Sequence, residues 1–235
     1  MDFNLKSPVL AALDVDTDTE AFELAKGIGE YVGGFKIGPR LAVRYGQSFI
    51  KELAEIAPLF VDNKYLDIPN TVVNSVKATF DCGASFCTVH AWNGPEALRE
   101  LAKLETGLNQ ERPFKILVVT VLTSFSKHTL PVGMEKKEMA DHVLALAQMA
   151  YDCGMRNFVC SPLEAKLLKT RFSDSFLVTP GIRFEPGSDD QKRTATPKKA
   201  LDDGANALVI GRPIYKSPDP KAAAKEIFDH INGVQ

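Results

Sequence analysis

The stretch VLAALDVD, residues 9–16, is an apolar run that ends abruptly in two carboxylates. Its unbroken series of Val, Leu and Ala is typical of a strand that is buried on both faces of a parallel sheet. A doubly wound nucleotide-binding sheet usually has a glycine-rich turn after its first strand. No glycine follows this run before Gly27. The stretch therefore favours a different parallel architecture.

Further apolar runs of the same kind recur along the chain. With the first, they predict strands at 9–15, 35–38, 59–64, 86–91, 115–122, 157–160, 176–179 and 207–211. Helical periodicity separates several of them, at 19–28, 46–56 and 137–151. Gly83, Gly154 and Gly204 stand where helices would end before the next strand. Eight such units in 235 residues predict a (β/α)8 TIM barrel, and a doubly wound open sheet is the alternative.

The composition is that of a globular protein. Hydrophobic residues make up 45% and charged residues 25%, and 28 basic against 30 acidic side chains give a net charge of −2. These values argue against disorder and against a surface that binds nucleic acid. No apolar run reaches the roughly 18 residues of a membrane span, so we expect no membrane association.

The chain start and the cysteines bear on localisation and domain organisation. Residues 1–8 are short and polar, unlike a secretory signal. Four cysteines without a CxxC pair predict free thiols in the cytoplasm (Cys82, Cys87, Cys153, Cys160). No Ser/Gly-rich linker divides the chain, so we expect one barrel domain over residues 1–235.

Charged residues occupy the ends of three consecutive predicted strands. Asp14 follows the first apolar run, Lys36 lies in the second, and Asp62 and Lys64 end the third. Active sites of (β/α)8 barrels lie at the C-terminal ends of the strands. Each charge alone could be a solvated strand end. Because a buried lysine needs an opposite charge, the set predicts an alternating lysine–aspartate array at one mouth of the barrel.

Asp67 and Thr71 follow the third strand at a strand-to-helix corner. Pro69 disfavours a helical conformation for the residue before it, so a helix is expected to begin there. Helix capping is the simplest role for residues at such a corner, and for Thr71 capping or packing is the first interpretation.

The last two predicted strands indicate an anion site. They end in TPGIR, 179–183, and IGRP, 210–213. Loops after strands seven and eight often bind phosphate in this fold. Gly211 would let backbone amides approach an anion, and Arg212 offers bidentate donors, although a surface arginine beside a turn is the alternative. The polar loop 184–197 is long enough to be a binding loop.

The remaining reactive side chains give weaker signals. Thr123 and Ser124 follow the fifth strand, where a ligand would meet hydroxyl groups. His90 ends the fourth strand, but a structural hydrogen bond is its simpler interpretation. The sequence contains neither a Ser–His–Asp arrangement nor metal-ligand spacing.

Together these motifs resemble the orotidine 5′-phosphate decarboxylase family over nearly the whole chain. The matching segments are LD at 13–14, FKIG at 35–38, DNKYLDIPNT at 62–71, VTPGIR at 178–183, DDQ at 189–191 and IGRP at 210–213. The DxKxxDIPNT string, combined with the C-terminal phosphate element, is the specific part. Asn63 and Tyr65 depart from the apolar residue and Phe expected there, and Trp92-Asn93 is also unfamiliar.

The resemblance implies a homodimeric (β/α)8 enzyme, free of metal and cofactor, that converts orotidine 5′-phosphate to UMP and CO2. It implies catalytic roles for Lys36, Asp62, Lys64 and Asp67, with Asp67 and Thr71 contributed to the partner's site. It implies substrate binding by Asp14, Thr71, Thr123, Ser124, Pro180, Arg183, Gln191, Gly211 and Arg212. Within that set, Asp14 would hold the ribose, Ser124 the pyrimidine, and Gln191, Gly211 and Arg212 the phosphate.

Two other functions stay open. A related barrel that acts on sugar phosphates, as a Mg²⁺-dependent decarboxylase or aldolase, would share the DxK strand and the phosphate site. The IPNT string at 68–71 and the loop around Gln191 favour the orotidine function. A non-catalytic barrel that binds a phosphate ligand is the second alternative, but simple binding needs no such array of paired charges.

Overall fold

The computed structural model describes residues 5–126, 129–131, 134, 137–184 and 193–233. Within them, eight parallel strands pair in chain order, and the last closes onto the first. The predicted (β/α)8 barrel is confirmed, and the doubly wound alternative is wrong because the sheet closes on itself. The strands are β1 (Val9–Ala12), β2 (Gly34–Ile37), β3 (Leu59–Tyr65), β4 (Phe86–His90), β5 (Lys115–Val119), β6 (Asn157–Val159), β7 (Phe176–Thr179) and β8 (Ala207–Ile210).

Helices surround the barrel. In the described residues they are α1 (Asp18–Ile28), α2 (Pro39–Ile56), α3 (Pro69–Asp81), α4 (Gly94–Leu108), α5 (Met139–Asp152), α6 (Pro162–Arg171), α7 (Pro197–Asp202), α8 (Arg212–Tyr215) and α9 (Pro220–Asn232), with a 3-10 turn at Ala91–Asn93. Several begin with proline, whose fixed φ suits the first helical position. Gly83, Gly154 and Gly204 have φ of 92°, 97° and 99°, as expected for residues that follow helix ends. None of the described helices combines the length and apolar composition of a transmembrane helix.

Some element boundaries differ from the sequence-based expectation. β1 and β5 end at Ala12 and Val119, three residues before the predicted ends, because the apolar runs continue into buried loop positions such as Leu13 and Val121. α2 starts at Pro39 rather than residue 46. Gly46 interrupts it with φ 68° and ψ −155°, so the predicted start marks a break within a longer helical segment.

The inner and outer faces of the strands bury different residue sets. Inside the barrel lies a compact apolar cluster of Leu10, Phe60, Phe86, Leu117, Val178 and Ala207. Their chain neighbours, such as Leu59 and Cys87, face the helices instead. This period-2 alternation places Asp62 on the same inner side as Phe60, and Thr88 on the same inner side as Phe86. Polar side chains therefore stand directly above an apolar floor.

The expectation that residues 1–235 form one domain stays a prediction.

Substitution of Gly34 tests the close approach of β2 to Pro58, the residue before β3. A Cβ at Gly34 would lie 2.3 Å from the carbonyl oxygen of Pro58. We expect Gly34→Ala to lower the free energy of unfolding by about 1–3 kcal/mol, measured by urea denaturation. Gly27→Ala is the matched control, because its Cβ would meet nothing within 4 Å and Gly27 lies in α1. Gly27→Ala should raise stability by roughly 0.5–1 kcal/mol. Equal stability of the Gly34→Ala variant and the wild type would contradict the close packing.

Candidate active site

A cavity of about 340 Å³ opens at the C-terminal ends of the strands. This volume is within the range of small-molecule sites. Predicted site residues that line this mouth cavity are Asp14, Lys36, Asp62, Lys64, Thr123, Ser124, Pro180, Arg183, Gly211 and Arg212. Asp67 and Thr71 are exposed and lie outside this lining. Gln191 lies outside the described residues.

Four of these side chains form one connected charge array: Asp14, Lys36, Asp62 and Lys64. The Nζ atom of Lys36 lies 3.5 Å from a carboxylate oxygen of Asp14 and 3.5 Å from Oδ2 of Asp62. The Nζ atom of Lys64 lies 2.8 Å from the same Asp62 Oδ2. The array thus runs across three adjacent strands, and Asp62 is shared by both ammonium groups.

Burial increases along the array toward its centre. The side chains of Lys36 and Asp62 are each 13% exposed, whereas those of Asp14 and Lys64 are 44% and 39% exposed. Burial alone would raise the pKa of Asp62, but the charges of Lys64 and Lys36, with hydrogen bonds from Lys64 and Thr88, lower it overall. Asp62 is therefore held as a carboxylate, and the more exposed ammonium of Lys64 faces the cavity.

The backbone at Lys64 departs from a regular strand. Pairing of β3 with β4 is in register at Val61–Cys87 and resumes at Tyr65–Val89, so three β3 residues face Thr88 alone. Among the described residues, Lys64 is the one non-glycine residue with positive φ, at 50°. The sequence predicted a regular strand in which Asp62 and Lys64 share a face. The two side chains do meet in the cavity, but through a β-bulge that re-aims Lys64.

The opposite side of the mouth cavity is built by the ends of β7 and β8. Arg183 and Arg212 both line it, beside the backbone turn at Gly211. A Cβ at Gly211 would lie 3.3 Å from that of Ala12 and 3.4 Å from Cε1 of Tyr215, so the backbone approaches its neighbours closely. Two guanidinium groups and backbone amides on one wall suit a phosphate group.

Tyr215 completes this wall and was missed by the sequence reasoning. It lines the cavity at the end of α8, and its pKa is raised by burial and by the carboxylate of Asp14. Its neutral hydroxyl can act as a hydrogen-bond donor and acceptor in the cavity. A tyrosine four residues beyond Gly211 gave no recognisable signal in the sequence.

Asp67 is held in place by Asn93. The Asn93 side chain accepts a hydrogen bond from the Asp67 backbone N–H at 3.0 Å and donates to the carbonyl oxygens of Tyr65 at 2.8 Å and His90 at 2.9 Å. The loop after β4 therefore fixes the loop after β3. α3 begins at Pro69, as expected, and places Thr71 in its first turn.

A buried ion pair joins α6 to the segment that follows β7. Arg193, where the described residues resume, has its Nη1 2.5 Å from Oε1 of Glu164 in α6. It also donates to the carbonyl oxygen of Leu122 at 3.1 Å. Leu122 lines the cavity next to Thr123 and Ser124, so this pair supports the wall that carries the two hydroxyl residues. The sequence reasoning did not find Glu164 or Arg193, because the two residues lie 29 positions apart on separate elements and neither belongs to a recognisable motif.

His90 has a structural hydrogen bond. Its Nδ1 accepts from the backbone N–H of Trp92 at 3.2 Å, and burial together with the charge of Lys64 lowers its pKa. A neutral imidazole at the start of the 3-10 turn agrees with the simpler interpretation. In the described part of the chain, no three His, Cys, Asp or Glu side chains are grouped to hold a metal ion.

Comparisons with known proteins agree with this geometry. A family model described as "Orotidine 5'-phosphate decarboxylase / HUMPS family" matches residues 7–227. A protein from Wolbachia pipientis subsp. Culex pipiens (strain wPip), named orotidine 5′-phosphate decarboxylase, is 38% identical over 227 residues, covering 96% of this chain and 99% of that protein. One of the same name from Lactobacillus acidophilus is 40% identical over 235 residues, covering 96% of this chain and 99% of that protein.

A solved structure extends the similarity to three dimensions. The crystal structure of orotidine 5′-phosphate decarboxylase from Lactobacillus acidophilus superposes with a TM-score of 0.84 at 36% identity, covering 97% of this chain and all of that one. These relatives place the chain in the carboxy-lyase class of enzymes. The chain belongs to the orotidine 5′-phosphate decarboxylase / HUMPS family.

The lowered pKa of Asp62 predicts a pH-dependent stability. The pKa of Asp62 is lower in the folded than in the unfolded protein. The ion pairs of Asp62 therefore stabilise the fold at any pH above the pKa that Asp62 has in the unfolded chain. This contribution to stability is lost as the pH falls through the pKa that Asp62 has in the folded protein. The difference in free energy of unfolding between wild type and Asp62→Asn should therefore change in favour of the variant as the pH falls from about 5 toward 3.

Urea denaturation across this range measures the difference. Asp202→Asn is the control for loss of a carboxylate, because Asp202 is exposed at the end of α7. A pH-independent difference for Asp62→Asn would contradict the linkage between the lysines and Asp62.

Proposed function

We propose that this enzyme converts orotidine 5′-phosphate to UMP and CO2. The observation that supports the proposal most strongly is that the charge array and a pair of arginines line the same cavity. The charge array stands on β1 to β3, and two arginines stand at the ends of β7 and β8. A substrate with a phosphate at one end and a reacting carboxylate at the other fits between them.

The chemical problem is a carbanion-like centre. Loss of CO2 from C6 of the pyrimidine leaves the electron pair of the broken C–C bond on carbon. Protein charges that are already in position can stabilise this developing charge without reorganisation. Lys64 is the candidate for this role, because its ammonium is anchored by Asp62 at 2.8 Å and is partly exposed to the cavity.

Lys64 also supplies the proton in this proposal. As CO2 departs, the ammonium of Lys64 transfers a proton to C6, which gives UMP and a neutral amine. The amine then takes a proton from solvent after product release. Lys36 transfers no proton in this scheme: the salt bridges of its ammonium group to Asp14 and Asp62 fix the two carboxylates relative to each other.

Asp62 would stand close to the substrate carboxylate. Two like charges about 4 Å apart interact by about 4 kcal/mol at an effective dielectric near 20. That repulsion is too small to account for a large rate enhancement, so we assign the larger part to stabilisation of the transition state by Lys64. The main role of Asp62 is then to fix the position of the Lys64 ammonium group at the cavity.

In this proposal the wall formed by Arg183 and Arg212 binds the phosphate group, which lies far from the reacting carbon of the substrate. Arg212 would pair with its oxygens, the backbone at Gly211 would donate to it, and Arg183 would support both. Ser124 and Thr123 would face the pyrimidine, Asp14 with Lys36 the ribose, and Pro180 the ligand's edge. Gln191 completes the predicted phosphate set. Binding energy gained at the phosphate can then be used to position C6 against Lys64.

We further propose that two copies of the chain share each site. Asp67 and Thr71 lie outside the mouth cavity of their own chain. Leu66 and Ile68, which flank Asp67, are large apolar residues 53% and 67% exposed, and Trp92 nearby is 45% exposed. Burial of these side chains against a second copy would carry Asp67 and Thr71 to the partner's cavity. A cytoplasmic location stays a prediction that the four free cysteines support.

The proposed reaction is tested directly with purified protein and orotidine 5′-phosphate. We expect loss of substrate absorbance and formation of UMP, with the same rate after exhaustive treatment with EDTA. Strict dependence on Mg²⁺, with turnover of a sugar phosphate instead, would favour the related sugar-phosphate enzymes. Tight binding of UMP without turnover under varied buffer and salt would favour a phosphate-binding protein.

Subunit mixing tests the shared site. Lys64→Ala and Asp67→Ala should each be inactive, yet a mixed dimer should regain activity because one of its two sites receives both wild-type groups. Lys64→Ala mixed with Asp62→Ala is the matched control. Those two groups lie in the same half of a site, so no activity should return. Absence of recovery in the first mixture, after subunit exchange has been shown by mass, would contradict the shared-site proposal.

A further inference from the structure

Thr88 lies at the centre of the charge array without carrying a charge. It is fully buried on the inner side of β4, directly opposite the bulged segment of β3. Its hydroxyl donates to Oδ1 of Asp62 at 2.9 Å and accepts from the backbone N–H of Lys64 at 2.9 Å. The Thr88 side chain thus contacts two members of the array: the carboxylate of Asp62 and the backbone of Lys64.

The second contact replaces a hydrogen bond of the sheet. Between Val61 and Tyr65 the regular pairing of β3 with β4 is broken. The backbone N–H of Lys64 has no ladder partner there and is satisfied by the Thr88 hydroxyl instead. A buried N–H without a partner would be costly, and positive φ at a lysine adds strain that its surroundings must offset. The hydroxyl therefore supports the conformation that directs Lys64 into the cavity.

The first contact sets the orientation of Asp62. Oδ2 of this carboxylate faces both lysines, at 3.5 Å from Lys36 and 2.8 Å from Lys64. Oδ1 receives the Thr88 hydroxyl. With one oxygen fixed by Thr88, the carboxylate plane is set and the other oxygen is presented to the two ammonium groups.

We infer that Thr88 is a positioning residue for the proposed decarboxylation, acting through Asp62 and Lys64 rather than on the substrate. The inference rests on the proposed function, because it assigns the array to that reaction. Both roles use the hydroxyl group: it must be a donor and an acceptor at once, which valine cannot provide and serine can. Thr88 is absent from the lining of the mouth cavity, so its effect on substrate binding is expected to be small.

Steady-state kinetics of three variants test this role. Thr88→Val, of nearly equal shape, should lower kcat roughly 10-fold to 100-fold, the range for losing a hydrogen bond to a charged group, with little change in KM. Thr88→Ser should recover most of kcat. Thr120→Val is the matched control, because Thr120 is equally buried but donates to the carbonyl oxygen of Val159. Thr120→Val should keep the wild-type kcat.

A second measurement does not depend on turnover. The hydrogen bond from Thr88 contributes to the lowered pKa of Asp62, after the charges of Lys64 and Lys36. The titration midpoint of the Asp62 ¹³Cγ resonance should therefore move to higher pH in Thr88→Val and return toward the wild-type value in Thr88→Ser. If Thr88→Val fails to fold, Thr88→Cys, a weak hydrogen-bonding group of similar size, replaces it with the same expectations.

The outcomes separate this inference from the proposed reaction. A wild-type kcat and an unchanged Asp62 midpoint in Thr88→Val would overturn the inference. A serine variant as slow as the valine variant, or an equal loss in Thr120→Val, would overturn it as well, because the hydroxyl would then not be the cause. A wild-type protein that does not decarboxylate orotidine 5′-phosphate would defeat the proposed function alone, and the Asp62 titration would still decide the role of Thr88.

Discussion

The site depends on one buried carboxylate shared by two lysines. Asp62 is largely buried, and its negative charge is compatible with that environment because Lys36 and Lys64 both approach its Oδ2 atom. Removing either lysine would leave charge poorly compensated, and such losses are usually costly in a protein interior. The same interaction anchors the ammonium of Lys64 at the cavity. The same contacts therefore stabilise the strand ends and orient Lys64, the proposed proton donor.

The barrel makes this arrangement possible through its layers. Phe60 and Phe86 fill the interior directly below Asp62 and Thr88 on the same two strands. This apolar floor keeps water from the lower side of the array and strengthens its electrostatic interactions. Closure of the sheet then pairs β8 with β1, and β7 follows on the other side of β8, so that Arg183 and Arg212 line the same cavity as the charge array. Fold topology, rather than sequence proximity, unites the two halves of the site.

Much of this could be predicted from the sequence. Unbroken apolar runs reveal parallel strands because both faces are buried, and a charge at the end of such a run stands out. Asp14, Lys36 and Lys64 were identified on that basis, and Gly211 with Arg212 by their place after the last strand. The family membership agrees with the resemblance that those motifs carry.

Other features have no signal in a single sequence. The bulge at Lys64 arises from the mismatch in pairing between β3 and β4, which depends on both strands at once. Thr88 reads as an ordinary polar residue in a strand, and Asn93 as a loop residue, until their partners are known. The Glu164–Arg193 pair joins positions far apart in the chain. Hydrogen bonds between elements follow from register, and register is a property of the folded barrel.

The most direct test of the central claim compares catalysis with binding in Lys64→Ala. The account assigns Lys64 to the chemical step, so kcat for orotidine 5′-phosphate should fall by about 100-fold or more. The affinity for UMP, measured by calorimetry, should stay close to that of the wild type, since Arg183 and Arg212, which would hold the phosphate, are unchanged. Lys77→Ala, which removes an exposed lysine of α3, should change neither value. Near-normal turnover by Lys64→Ala would contradict the account.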